Sequence, residues 1–281
     1  MFRSLFNDLR LFLRDPQQIV DGPHDRPFRT WLAVLIVDIA ITSVVIVPLI
    51  FLIDEHVLHL RPGPEITRPM TFWFMVTLVI GVAPVMEELF FRYPLKFVRN
   101  RVLKVAMYIS SVFFGLYHLS NYANQEVLFY ALAPIIVGSQ LLGGFLLAYL
   151  RLKYGLRWAI LLHAVFNALF TIPTVLLYHG KTIIDHQSSE YSLVVTEYAY
   201  VDRPERMRIS RKDNGIDTLI VRQMGLQSVL DSIGKPETYY IENVLVDIDL
   251  RAAYPIPLDS LINRLGQEYK IIPHITLHSS R

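Results

Sequence analysis

Between Thr30 and Tyr178 the chain carries apolar runs of about 20 residues, the length a helix needs to cross ~30 Å of hydrocarbon. Five such spans are predicted, at about 31–53, 70–96, 105–122, 127–150 and 158–178. The pattern differs on either side of them. In "MFRSLFNDLRLFLRDPQQ" the positions Phe2, Leu5, Phe6, Leu9, Phe12 and Leu13 recur at helical spacing, with Arg3, Asp8, Arg10 and Arg14 largely elsewhere, which predicts an amphipathic helix at the lipid surface. Those interleaved charges also exclude a cleavable signal peptide. After Tyr178 the runs shorten: "YSLVVTEYAY", "IDTLIV" and "NVLVDIDL" read as strands, and "GLQSVLDSIG" and "PLDSLINRLG" as short helices. The two helices align on each other at an offset of 32, from Leu226 with Leu258 to Gly234 with Gly266, which predicts a repeated helix-plus-strand unit whose helices end at glycine.

The predicted fold is therefore an all-α polytopic membrane protein of about five transmembrane helices, with a small C-terminal α+β domain. Its divisions are an N-terminal segment 1–30, a membrane domain 31–180 and a tail domain 181–281. A hydrophobic content of 53% and a mean hydropathy of +0.37 agree with that class. The net charge of +2 implies no nucleic-acid partner; the partners expected are the bilayer, a peptide or protein substrate and an envelope component bound by 181–281. The absence of cysteine excludes disulfides, thiolate zinc sites and a cysteine nucleophile. Loop charges set the orientation. Residues 1–30 hold Arg3, Arg10, Arg14, Arg26 and Arg29, "KFVRNRVLK" holds Lys96, Arg99, Arg101 and Lys104, and "RLKYGLR" holds Arg151, Lys153 and Arg157. The alternate loops hold only Arg61 and Arg68, or none, so the amino terminus is expected inside and the tail domain outside.

Charged side chains within hydrocarbon cost ~3 kcal/mol or more, so they face a protein interior or a wet cavity and mark function. Three groupings stand out. In "APVMEELFFRYPL", Glu88 and Arg92 are one helical turn apart and form an ion pair by spacing, while Glu87 lies around the helix and is left free to take a proton. Phe114 and His118 share a face on the third span, so the ring packs one turn from the imidazole. His163 and Asn167 share a face on the fifth. The depth of His118, ~21 Å from Lys104, exceeds the ~6–13 Å of the glutamates and the ~9–15 Å of His163 and Asn167. It is reconciled if "KFVRNRVLKVA" lies partly along the surface, the third span continues past His118 and "SNYANQE" is the outer cap.

A carboxylate and an imidazole aimed at one water make a general base for peptide hydrolysis, a role that fits Glu87 with His118. A second imidazole and an amide N–H hold the oxyanion, a role that fits His163 with Asn167. No serine or threonine stands in an evident triad, with Ser111 and Ser139 left open as nucleophiles. A Glu/His/His set also suits zinc, but His-Glu-x-x-His is absent, so no metal is obligatory and zinc stays an open alternative.

At these residues the chain resembles the CPBP family of intramembrane proteases, which includes CAAX prenyl endopeptidases and the bacteriocin-processing or immunity proteins called Abi. The shared pattern is Glu-Glu-x-x-x-Arg at Glu87, Glu88 and Arg92, Phe-x-x-x-His at Phe114 and His118, and His-x-x-x-Asn at His163 and Asn167, over about 70–178. The resemblance implies a helical intramembrane peptidase in which Glu87 and His118 activate water, His163 and Asn167 form the oxyanion site, and Glu88, Arg92 and Phe114 support them. Five spans point to a shorter bacterial type in the inner membrane rather than the eukaryotic prenyl-protein protease. A non-catalytic immunity or scaffold protein binding through 181–281, and a proton-relaying transporter, are the rival readings. Lesser features are small-xxx-small patterns at Ser139/Gly143 and Gly144/Ala148, a kink at Pro134, interfacial Trp158, Tyr154 and Tyr178, and Asp54, Glu55, His56 and His59 in a solvated outer loop.

Overall fold

The computed structural model describes residues 2–21, 26–63, 69–98, 100–213, 215–234, 236, 238–241 and 244–273. Arg68 and Arg99 of the loop-charge pattern, and residues 274–281 of the tail, lie outside the described residues. The chain divides into two compact units, Met1–Arg61 with Met75–Phe170, and Pro62–Phe74 with Thr171–Arg281.

The first unit is helical, built from α1 (Phe2–Arg14), α2 (Pro16–Val20), α3 (Pro27–His56), α5 (Asn100–Tyr117), α6 (Val127–Ile136) and α7 (Gly138–Tyr154), with α4 (Phe72–Phe97) from Met75 onward and α8 (Leu156–Tyr178) as far as Phe170. Four helices are long and apolar enough to cross a membrane, and five if the bent pair α6 and α7 is one span. Prolines shape three of them. Wide π-helical turns at Thr42–Ile46 in α3 and Thr77–Val82 in α4 run up to Pro48 and Pro84. A proline ring clashes with the carbonyl four residues back, and widening the helix there relieves the clash. Pro134 in α6 precedes the 44° bend that separates α6 from α7.

The third span continues past His118, as expected, to Asn121. Its α-helical part begins at Asn100, with Arg101 and Lys104 in the opening turns, and ends at Tyr117, where His118–Asn121 tighten into a 3-10 turn. Ser110 Oγ donates to the carbonyl of Phe91 at 2.6 Å, which sets α5 and α4 in register with His118 beside the glutamate turn. The segment after His118 is a hydrogen-bonded plug: Arg61 pairs with Glu126 at 2.6 Å, and Asn124 accepts from the Arg61 backbone at 2.7 Å and donates to the His59 carbonyl at 3.0 Å. Asp54 belongs to the same plug, facing His59 at 3.0 Å and accepting from the Leu60 backbone at 2.7 Å.

Helix α1 buries Leu5 and Phe12, with Phe12 edge-on to Tyr149 at 5.5 Å, while Phe2, Phe6 and Leu13 stay exposed. Asp8 anchors it, accepting from Tyr149 at 3.2 Å and pairing with the buried Lys153. Close helix packing falls on Gly144 rather than Gly143, around which the space is open. A Cβ on Gly144 would stand 2.7 Å from the Ser111 carbonyl oxygen of α5, and one on Gly115 would stand 3.1 Å from Leu141 Cα. Ser111 Oγ closes the contact by donating to the Gly144 carbonyl at 3.1 Å, which occupies the hydroxyl held open as a nucleophile. Gly144→Val is therefore expected to separate α5 from α7 and to cost about 1–3 kcal/mol, the usual range for an overpacked core. A denaturant titration in detergent checks this, and an unchanged midpoint would contradict the packing.

The second unit holds a five-stranded antiparallel sheet in the order β1-β2-β6-β4-β3: β1 (Lys181–Gln187), β2 (Tyr191–Tyr198), β3 (Arg206–Lys212), β4 (Gly215–Gly225) and β6 (Leu245–Ile256). Helices α9 (Leu226–Ile233) and α10 (Leu258–Leu265) join one core with Leu219, Val221, Ile248 and Leu250. The offset of 32 reappears in space. β5 (Tyr239–Tyr240) pairs with β7 (Ile272–Pro273) so that Tyr240 faces Ile272. The unit that recurs is a long strand, a helix and a two-residue strand, so the long strand precedes its helix. The terminal glycines do not adopt left-handed caps: Gly234 has φ −111° and Gly266 φ −64°. Their value is room, since a Cβ would crowd the Leu230 and Ile262 carbonyls at 3.2 and 3.3 Å.

Candidate active site

Six of the seven residues singled out in the sequence converge between α4, α5 and α8. Glu88 and Arg92 are fully buried, with Arg92 Nη1 3.5 Å from Glu88 Oε1. The guanidinium is placed by three further contacts of different kinds. It lies over the Phe114 ring at 3.8 Å from the centroid, lies 5.5 Å from that of Phe91, and donates weakly to the Gly144 carbonyl at 3.4 Å. The Gly144 carbonyl thus receives both Ser111 and Arg92, so the close helix approach also positions the ion pair.

Phe114 is the wall of the site. Its ring is edge-on to His118 at 4.9 Å and to His163 at 5.6 Å, and it is buried. The imidazole of His118 is fixed further by its Nδ1, which lies 2.8 Å from the Phe114 carbonyl. A carbonyl only accepts, so Nδ1 carries a proton, and Nε2 is the acceptor when the ring is neutral. His163 Nδ1 lies 3.2 Å from Glu88 Oε1. The remaining nitrogen of each ring faces Glu87: Oε2 is 3.9 Å from His118 Nε2 and 3.8 Å from His163 Nε2. Both distances exceed a direct hydrogen bond, and Glu87 Oε2 is buried without a hydrogen-bond partner. A buried orphan carboxylate oxygen between two ring nitrogens leaves unmet hydrogen-bonding capacity that one water would satisfy.

Asn167 stands apart from that convergence. Its amide donates to the Val79 carbonyl at 2.9 Å, clipping α8 to the π-helical turn of α4. One amide N–H remains. An apolar groove along α4 is lined by Val76, Thr77, Ile80, Gly81, Val82, Val85 and Met86.

Both Nδ1 atoms are engaged by protein acceptors, and among the described residues no three His, Asp or Glu groups stand close enough to hold an ion. The outer-loop set Asp54, Glu55, His56 and His59 forms no such group either. Ser139 Oγ donates to the neighbouring Gln140 at 2.9 Å. The sequence reading passed over Asp38, a carboxyl in α3 that is 3% exposed and whose Oδ1 has no hydrogen-bond partner among the described residues. Thr42, one turn on, has an orphan Oγ1 as well. Asp38 carried the signal of a charged residue inside an apolar run.

Residues 69–169, about a third of the chain, match the family model described as type II CAAX prenyl endopeptidase Rce1-like. The match supports assignment as a protease, a hydrolase, and takes in Glu87, Glu88, Arg92, Phe114, His118, His163 and Asn167. No curated protein and no solved structure matches the chain.

Proposed function

We propose, from the Rce1-like family domain at residues 69–169, that this chain is an intramembrane endopeptidase of the CPBP type, with a water held by Glu87 as its nucleophile. The observation that carries the proposal is the Glu87 Oε2, buried, unpartnered and faced by two imidazole nitrogens at 3.8 and 3.9 Å. The water hydrogen-bonds to Glu87 and to the acceptor Nε2 of His118. Glu87 takes its proton as the oxygen attacks the carbonyl carbon of the scissile bond. The carbonyl oxygen gains the negative charge and is received by His163 Nε2–H and the free N–H of Asn167. For His163 this donor role requires a proton on both nitrogens, and carboxylates face both. The C–N bond then breaks, and Glu87 returns the proton to the departing amine. Glu88, Arg92 and Phe114 position the two imidazoles, and the groove ending at Met86 suits the apolar part of a membrane-borne substrate.

The same reading divides the chain into the segment 1–30, the membrane domain 31–180 and the tail 181–281. The span count points to an inner bacterial membrane, and loop charge to an amino terminus in the cytoplasm and a tail, with an envelope partner, outside. The reaction as drawn needs no metal. Purified protein is expected to release product from peptides with a C-terminal CAAX sequence, prenylated or not, or from membrane-spanning peptides, detected by mass spectrometry. The rate should change less than about twofold with a strong chelator, since no step uses Lewis-acid chemistry. Loss of activity on chelation, restored by zinc, would overturn the metal-free step. An absence of product from every peptide would favour the immunity or scaffold reading.

A further inference from the structure

The sheet of the second unit has two edges of unlike character. Four of its strands form two outer pairs about a central seam. β4 and β6 run side by side, with Thr218 opposite Arg251 and Leu219 opposite Leu250, and each carries an outer antiparallel neighbour, β3 on β4 and β2 on β6. The correspondence stops there. β2 is covered by β1, from Lys181 opposite Glu197 to Gln187 opposite Ser192, whereas no strand of the described residues lies beside β3. An uncovered edge presents a row of unpaired backbone N–H and C=O groups, a template for another extended segment.

The side chains on that edge specify charge. Along "RMRISRK", Met207 and Ile209 are half-buried and pack on the core shared with the helices. Alternate positions point to the other face, where Arg206 is opposite Arg222, Arg208 opposite Ile220 and Ser210 opposite Thr218. Arg222 is answered by Asp249 at 3.2 Å and Asp247 at 3.8 Å, and Arg251 by Asp249 at 3.0 Å. Arg206 and Arg208 are exposed and have no carboxylate partner among the described residues, and Arg206 sits directly across from another arginine. Like charges opposite each other on a sheet are unfavourable, so the edge carries positive charge that the domain does not neutralise.

We propose that β3 is a docking edge for an extended acidic segment of another protein, which adds a sixth strand to the sheet. Its carboxylates meet Arg206 and Arg208 on the open face, and its alternate apolar residues extend the core beside Met207 and Ile209. Backbone hydrogen bonds supply the attachment, and the arginines supply the selectivity. A second copy of the chain is a poor occupant, because edge pairing of two β3 strands would bring arginine against arginine. The proposal is independent of peptide hydrolysis in the membrane.

The test uses the full chain in detergent and two fluorescent eight-residue peptides, one alternating glutamate with valine and one alternating lysine with valine. The acidic peptide is expected to bind saturably, to weaken as salt rises and to slow hydrogen exchange at 206–212. The lysine peptide is expected not to bind. Arg206→Glu with Arg208→Glu should weaken acidic binding by roughly tenfold or more. Both positions are exposed, so the variant keeps its thermal midpoint, and Asp185→Lys on the opposite edge leaves binding unchanged. Equal binding of the two peptides, no binding of either, an undiminished affinity in the double variant, or protection confined to β1 would each overturn the proposal. So would binding to anionic lipid vesicles in place of the acidic peptide.

Discussion

Glu87→Gln is expected to lower peptide hydrolysis by about 10²–10⁴-fold, the contribution of a positioned general base, while the protein keeps its thermal midpoint. The substitution preserves shape and hydrogen-bonding reach but removes the oxygen that takes a proton. Glu87 is only partly buried and is not an ion-pair partner of Arg92; Oε2 faces His118 at 3.9 Å and His163 at 3.8 Å across distances too long for direct bonds. A fold that depended on Glu87 would hold it closer. The measurement is initial rate against peptide substrate beside a thermal melt of the same preparation. Activity within tenfold of wild type would remove Glu87 from the role of base. A melt lowered in step with activity would make it a structural partner of His163 instead.

Arg92→Leu carries the largest expected effect on the fold, about 3–5 kcal/mol of destabilisation, because it takes the guanidinium from a buried carboxylate and leaves His163 as its one charged partner among the described residues. Glu88 and Arg92 are each 0% exposed, and Glu88 Oε2 already lacks a hydrogen-bond partner, so no solvent is at hand to take over from the guanidinium. The same change deletes the contact with the Phe114 ring at 3.8 Å and the bond to the Gly144 carbonyl. Leucine at both positions is expected to recover most of that stability, since two apolar side chains leave no uncompensated charge. The double variant will still impair cleavage, because His163 then loses the acceptor for its Nδ1. Denaturant titrations of the three proteins test this, and a single variant as stable as wild type would refute the account of the pair.

What could be read from sequence follows from the range over which each interaction acts. The apolar runs, the one-turn spacing of Glu88 and Arg92 and the packing of Phe114 edge-on to His118 are local, and periodicity reveals them. The meeting of Glu87 with His118 and His163 is tertiary, and spacing alone could only suggest it. Asp8 with Lys153, separated by 145 positions, left no local trace. Neither did the approach of Gly144 to Ser111, since the pattern marked small residues on α7 without saying which of them faced a neighbour. Strand β3 was hidden for another reason: alternating arginines lower its apolarity below that of the inner strands, although Met207 and Ile209 keep the period of two.

The central claim, a water activated by Glu87, is tested most directly by comparing new peptide termini in membranes that contain the wild-type protein with those in membranes that contain equal amounts of folded Glu87→Gln. The account predicts a set of termini present with the wild type and absent with the variant. The same termini in both membranes would contradict it.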